Sequence, residues 1–171
     1  MDSYALEKLV RSLPSEFLWR AEPPKRFLWL VENQGIDPRA KEDTRWAPKG
    51  TASQQFGGVS LFDFTQLPPD ASNTLSKCEQ FIAGYPETIW IGIKREGEII
   101  CSDRLYMETN CSTVHGSIRP VEVCMVGRIP LESFGPVYLL NRSDCALHDL
   151  GNAQEAARHL LTAGVQPAKY V

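Results

Sequence analysis

The sequence is short of the features that announce several kinds of protein. Its five cysteines, Cys78, Cys101, Cys111, Cys124 and Cys145, are odd in number, widely spaced and form no CxxC pair. That pattern fits reduced thiols better than a disulfide scaffold or a zinc site. Histidine is limited to His115, His148 and His159, and no HExxH occurs. The phosphate-binding glycine fingerprints GxGxxG and GxxxxGK[ST] are absent too. No apolar run approaches the length that crosses a bilayer. The opening MDSYALEKLV has neither the basic start nor the apolar stretch of a signal peptide. A cytoplasmic protein without membrane contact is the expectation. Basic charge is also not in surplus: 18 Lys and Arg stand against 21 Asp and Glu, for a net charge of −3. Bulk electrostatics therefore do not advertise nucleic-acid binding, although a local basic groove is compatible with them.

What is present suits one globular domain over residues 1–171. The apolar fraction of 43% and charged fraction of 23% argue against global disorder. The helical spacing of Leu6, Leu9, Val10 and Leu13 predicts a helix over Tyr4–Leu13, within a helical N-terminal segment 1–22, with Pro14 as a breaker. After Pro23 and Pro24, the short apolar run Phe27–Val31 reads as a buried strand. Glu32–Gly58, rich in Gly and Pro, reads as a long loop, expected to border the functional cleft. Val59–Phe64 reads as a strand. Thr74–Gly84 reads as a helix, capped by Ser72 or Asn73. Ile89–Ile93 reads as a strand that turns through Arg95–Glu98 into Ile99–Cys101 as a hairpin. A polar loop over Glu108–Ser117 and strands at Val121–Val126 and Val137–Leu140 follow. The last helix is the clearest, with Asn152 as cap, Glu155 three residues on, Ala156, Ala157, Leu160 and Leu161 on one face, and Gly164 at its end. About half a dozen strands, with helices at both ends and in the middle, make the expected class α+β with mixed or antiparallel sheets.

Few residues invite chemistry. Cys111 and His115, four apart, are a thiol and a base with nothing to orient them. Asp63 and Asp103 lack a second acidic ligand at useful spacing, so no metal site is expected. The segment Pro120–Leu131 is more telling. On a strand, Val121, Val123 and Met125 would face one way and Glu122, Cys124 and Val126 the other. A carboxylate on so apolar a strand must be paired, partly solvated or turned to a cleft. A strand with its Glu122 face at the solvent edge is the plain alternative.

The run from Glu122 through Pro130 to Glu132 resembles the "EvLV-x-g-x-[IV]-P" segment of ADP-ribosyltransferase-fold proteins, especially the DarT-like DNA-modifying toxins. Upstream, Ile89–Ile93 resembles a central strand of that family and Ser102-Asp103-Arg104 its short "sDr" turn. Gly58–Phe64 resembles its aromatic-rich strand beside the nicotinamide pocket. The opening "yHxTh" motif has no counterpart, because Phe27–Asn33 holds no histidine. The resemblance, over about 58–140, implies an ADP-ribosyltransferase-like domain. It further implies a glycosyltransferase reaction: ADP-ribose passes from the co-substrate NAD+ to a macromolecular acceptor, DNA, RNA or protein, and nicotinamide leaves. Glu122 would be the catalytic residue. Arg45 would hold the diphosphate, with Arg39 and Arg26 as alternatives, and Ser60 and Phe62 (or Phe64) would line the nicotinamide pocket. A toxin-like protein of this kind implies an antitoxin or other protein partner. A non-enzymatic α+β binding or inhibitor protein and an RNA 2′-phosphotransferase-like enzyme are the alternative readings.

Overall fold

The computed structural model describes residues 3–38, 52–108 and 121–169. The first half contains α1 (Ser3–Ser12), β1 (Phe17–Glu22), α2 (Pro24–Glu32), β2 (Gly35–Ile36), α3 (Ala52–Gln55), β3 (Gly58–Phe62) and α4 (Ser72–Ile82). The second half contains β4 (Glu87–Lys94), β5 (Ile99–Ile100), α5 (Ser102–Glu108), β6 (Glu122–Val126), β7 (Ile129–Pro130), β8 (Phe134–Asn141), β9 (Ala146–Asp149) and α6 (Ala153–Thr162). Seven strands join one sheet in the order β5-β6-β3-β1-β4-β8-β9, and β2 pairs with β7 apart from it. The strand pairs are antiparallel. The fold is α+β: an antiparallel sheet with flanking helices. No helix among the described residues is long and apolar enough to cross a membrane.

Strand alternation sorts the side chains onto two faces, and both are buried. Leu18, Leu61, Ile89, Ile91, Ile93, Val123 and Val137 pack with Phe27, Leu28 and Leu30 of α2 and with Ala156 and Leu160 of α6. Trp19, Phe62, Trp90 and Leu140 face the other way, onto Leu6 and Val10 of α1 and Leu75, Cys78 and Ile82 of α4. Each such side chain, fully buried, contributes about 1.5–3 kcal/mol. Trp90 Nε1 also donates to the carbonyl of Ile82 at 2.7 Å, tying the end of α4 to the sheet. A third, small cluster of Ile100, Leu105 and Cys124 lies under α3 and α5, with Phe56, Tyr106 and Val126 packed against it.

Several expectations are corrected. Phe27–Val31 belongs to helix α2, not to a strand. Five successive apolar residues cannot distinguish the two periods. Pro24 opens the helix, where its missing N–H costs nothing, and Phe27, Leu28 and Leu30 take the buried side. The strand in this part of the chain is β1, inside the supposed helical segment 1–22. Its Leu18 and Trp19 fill opposite cores, but Arg20 and Glu22 break its apolar run. The supposed loop Glu32–Gly58 holds β2 and α3 in its described parts, while 39–51 lies outside the described residues. Ser72 and Asn73 do not cap α4: Ala71 stands at the cap without a side-chain bond, and Asp70 accepts from the Ser72 amide at 3.3 Å. The expected hairpin of β4 with residues 99–101 does not form. Both edges of β4 are taken, by β1 and β8, so β5 crosses over to pair with β6. Ser102–Arg104 is not a turn but the start of α5. The terminal helix has its capping box of Asn152 and Glu155, yet Leu161 is 49% exposed and does not share the buried face. Strands β2, β7 and β9 had no expected counterpart.

The centre of the sheet carries an interruption. Strands β1 and β4 share six register pairs and β3 and β6 share five, whereas β1 and β3 meet only at Trp19 and Phe62. The sheet thus has two well-zipped halves joined at one pair, and Arg20 stands next to that join.

Candidate active site

Glu122 opens β6, which lies between β5 and β3. It pairs with Phe62 of β3 and lies beyond the reach of the short β5, yet at 8% exposure it does not face solvent. Its carboxylate has two hydroxyl donors. Ser60 Oγ, on β3, donates to Oε1 at 2.6 Å, and the Tyr106 hydroxyl, on α5, donates to Oε2. Bonds from neutral hydroxyls to an ionised carboxylate are stronger than neutral ones, and they offset the desolvation of the buried group. Among the described residues its partners are hydroxyls rather than a cation.

Ser60 is itself held from the other side. Arg20 Nη1 donates to the Ser60 carbonyl at 2.8 Å while Arg20 Nε donates to Glu22 Oε1 at 2.7 Å. The guanidinium spans the join between the two half-sheets and braces the strand that carries Ser60. Arg20, Ser60 and Glu122 thus form one line, cation to carbonyl, then hydroxyl to carboxylate. Gly58 lets β3 and β6 approach closely: a Cβ there would come within 2.3 Å of Cys124 Sγ and 2.5 Å of the Met125 carbonyl oxygen.

Two thiols register the buried negative charge. Burial, and then the charge of Glu122, push the Cys78 thiol up to about 12. Burial likewise raises Cys124 to about 11, with Glu122 and Glu98 adding to it against a hydrogen bond to Ser53 that acts the other way. Neither is an activated nucleophile. Asp63, weighed above as a metal carboxylate, is occupied: Arg95 Nη2 and Nη1 reach its two oxygens at 2.7 and 2.9 Å, and Thr65 donates to it as well. Burial pushes the Asp63 carboxyl up, but Arg95 and Thr65 together hold it below its ordinary value.

The structure brings together Glu122 and Ser60 from the sequence-derived set. Phe62 is directly opposite Glu122 in the β3–β6 register. Its ring stacks parallel on Phe64, with centroids 5.7 Å apart, and it lies in the core with Trp19 and Trp90. Arg39, Arg45, Cys111 and His115 lie outside the described residues. Arg26 sits over the Trp29 ring at 4.2 Å. It borders a cavity of about 1030 Å³ between the start of α2 and the ends of β4 and β8, whose lining includes none of Ser60, Phe62 and Glu122. Sequence reasoning missed Arg20 and Tyr106. A cation inside the apolar run Phe17–Ala21 was a signal for the first once that run is read as a strand. Tyr106 gave none, because only folding sets α5 against β6.

No model of a known protein family matches the sequence, and no curated protein matches it. Among solved structures the chain is similar to heat-labile enterotoxins and to EcPltA. A heat-labile enterotoxin A subunit is 16% identical, with 89% of this chain and 82% of that chain covered and a TM-score of 0.46. EcPltA is 13% identical, with 82% and 87% covered and a TM-score of 0.45. A second heat-labile enterotoxin structure, from E. coli, is 17% identical, with 89% and 83% covered and a TM-score of 0.45. None of these is a DarT-like protein. At TM-scores under 0.5 the likenesses carry no functional weight for this chain.

Proposed function

We propose that this protein transfers ADP-ribose from NAD+ to a macromolecular acceptor, nucleic acid or protein, with release of nicotinamide. The observation that carries the reading is the Glu122 carboxylate, sunk at the β3–β6 junction, bound by two hydroxyl donors, and linked through Ser60 to a braced arginine. A carboxylate that already accepts hydroxyl bonds at both oxygens suits a ribose, which offers the same donors. NAD+, when bound, supplies a C1′–nitrogen bond whose electron pair leaves with nicotinamide.

In this reading Glu122 takes a ribose hydroxyl and faces the positive charge that grows at C1′ as that bond breaks. A negative charge fixed in a site of low dielectric acts on such a charge more strongly than it would in water. Glu122 then accepts the proton of the acceptor nucleophile as the new bond to C1′ forms. Ser60 fixes the carboxylate rotamer. Arg20 fixes Ser60 through its carbonyl, and is a positioning residue. Phe62, with its ring stacked on Phe64, offers an aromatic flank to a planar nicotinamide. Arg45 or Arg39 remains the proposed diphosphate ligand, because a guanidinium fits phosphate oxygens bidentately. An antitoxin-like partner that covers the site is a further part of the proposal.

The test incubates the protein with labelled NAD+ and separate nucleic-acid and protein fractions, for wild type and Glu122→Gln. Label transfer by wild type and its loss in the variant is the expected result. No transfer in any fraction, together with no NAD+ binding, overturns the reading and favours a non-enzymatic binding protein.

A further inference from the structure

Glu122 is 8% exposed, and one of its two oxygens is occupied by a protein hydroxyl from outside the sheet. Tyr106 comes from α5, a helix of seven residues that packs beside α3, a helix of four. Three features mark this pair as separable from the rest. The apolar cluster beneath it is small, with Leu105 of α5 on Ile100 and Cys124 and with Phe56, just after α3, packed beside them, distinct from the two main cores. Small satellite clusters open locally before the main core does. The Arg104 guanidinium of α5 lies 5.8 Å from the ring centre of Phe56, the residue after α3, a contact of modest strength. Both helices also carry a buried orphan. Among the described residues, Ser53 Oγ on α3 and Ser102 Oγ on α5 have no hydrogen-bond partner, although the residues are only 2% and 7% exposed. Burial without a partner is a cost that opening to water relieves.

We propose that Tyr106 stands in for a substrate hydroxyl on Glu122, so that α3 and α5 form a cover that must lift before the ribose of NAD+ takes the place of the tyrosine. The ribose part of this statement rests on the transferase reading. The cover itself does not. Closed, the bond from Tyr106 to the carboxylate helps hold α5 down, and that from Cys124 to the Ser53 carbonyl helps hold α3, against the pull of the two orphan hydroxyls. Open, it frees Oε2 while Ser60 keeps Oε1. The apparent affinity for NAD+ is then the intrinsic affinity scaled by the fraction of protein that is open.

Cys124 reports the cover directly. It is 0% exposed beneath the helices, and its Sγ donates to the Ser53 carbonyl at 3.8 Å. Cys78, also 0% exposed but on α4 in the core it shares with α1, reports global unfolding instead. The experiment labels the native full-length chain with a small thiol reagent and reads each cysteine by peptide mass spectrometry, alongside NAD+ titration by calorimetry. Tyr106→Phe removes the hydroxyl and keeps the ring. Loss of one hydrogen bond to a charged group predicts about tenfold faster Cys124 labelling relative to Cys78, and about tenfold tighter NAD+ binding. Ser102→Ala removes an orphan from the closed form and should act oppositely, slowing Cys124 labelling and weakening NAD+ binding. Cys124 labelling that does not rise relative to Cys78 in Tyr106→Phe overturns the cover. Faster labelling with weaker NAD+ binding overturns the substitution of Tyr106 for ribose and makes it a positioning residue. Faster labelling with no NAD+ binding in any variant overturns the transferase reading while the cover stands.

Discussion

Ser60 and Glu122 meet on a diagonal, two residues out of register. Across β3 and β6, Ser60 pairs with Cys124 and Phe62 pairs with Glu122, yet it is Ser60 Oγ that reaches the carboxylate, at 2.6 Å. The four residues share one face, and the carboxylate lies along the strand toward the serine rather than straight across to the phenylalanine. That diagonal places the charge at the boundary between the α1–α4 core, which holds Phe62, and the small cluster of Ile100, Leu105 and Cys124.

From this follows the first prediction. Glu122→Gln keeps the shape and one acceptor oxygen, and removes a buried charge that no cation pairs among the described residues. Transfer of ADP-ribose should be abolished, whereas stability should change by no more than about 2 kcal/mol, because a lost charge-assisted bond is offset by relief of desolvation. Thermal melts and the labelling assay check the two halves. A loss of about 3–5 kcal/mol, as when one partner of a buried ion pair is removed, would make Glu122 structural.

Arg20→Lys keeps the charge and loses the planar fork that holds Glu22 and the Ser60 carbonyl at once. Transfer should fall about tenfold to a hundredfold through a mis-set Ser60. If Arg20 positions Ser60, the loss should appear in kcat more than in KM, and Arg20→Lys should retain more activity than Arg20→Ala. Equal loss in both variants, with a collapsed melt, would mark a purely structural arginine.

The thiols give a third prediction. Titration of the unfolded, unreduced chain should find five free thiols. In the native protein, Cys101 and Cys145 are exposed and should react first. Cys78 and Cys124, raised to about 12 and 11, should stay slow up to pH 9 or so. Fewer than five thiols would show a disulfide or a bound metal.

Asp63 and Arg95 anchor the crossing from β4 to β5, since Arg95 also reaches the Ser15 carbonyl at 3.3 Å. The folded Asp63 carboxyl lies below its ordinary value of 3.8. Its contribution is therefore complete above that value and is lost as pH falls through it toward the folded value. Asp63→Asn should cost about 1–3 kcal/mol at neutral pH, less than for a wholly buried pair because Arg95 is 31% exposed. Urea melts as a function of pH should show a shallower acid slope in the variant. An unchanged slope would refute the assignment.

The sequence by itself determined the α+β class, helices α1 and α4, the terminal helix with its capping box, strands β3, β4, β6 and β8, and Glu122 as the carboxylate to watch. Each of these is written in residues near one another: an alternation, a cap three residues from its partner, a glutamate on an apolar strand. Tertiary structure decided the rest. Whether Phe27–Val31 became helix or strand turned on which apolar surface it met, because a run of five fits both periods. The place of β5 was set by the occupied edges of β4, not by the turn before it. The site itself joins Ser60 to Glu122 across 62 positions and Arg20 to Ser60 across 40. Contacts at that separation are fixed by strand order and register, and no local pattern encodes either one.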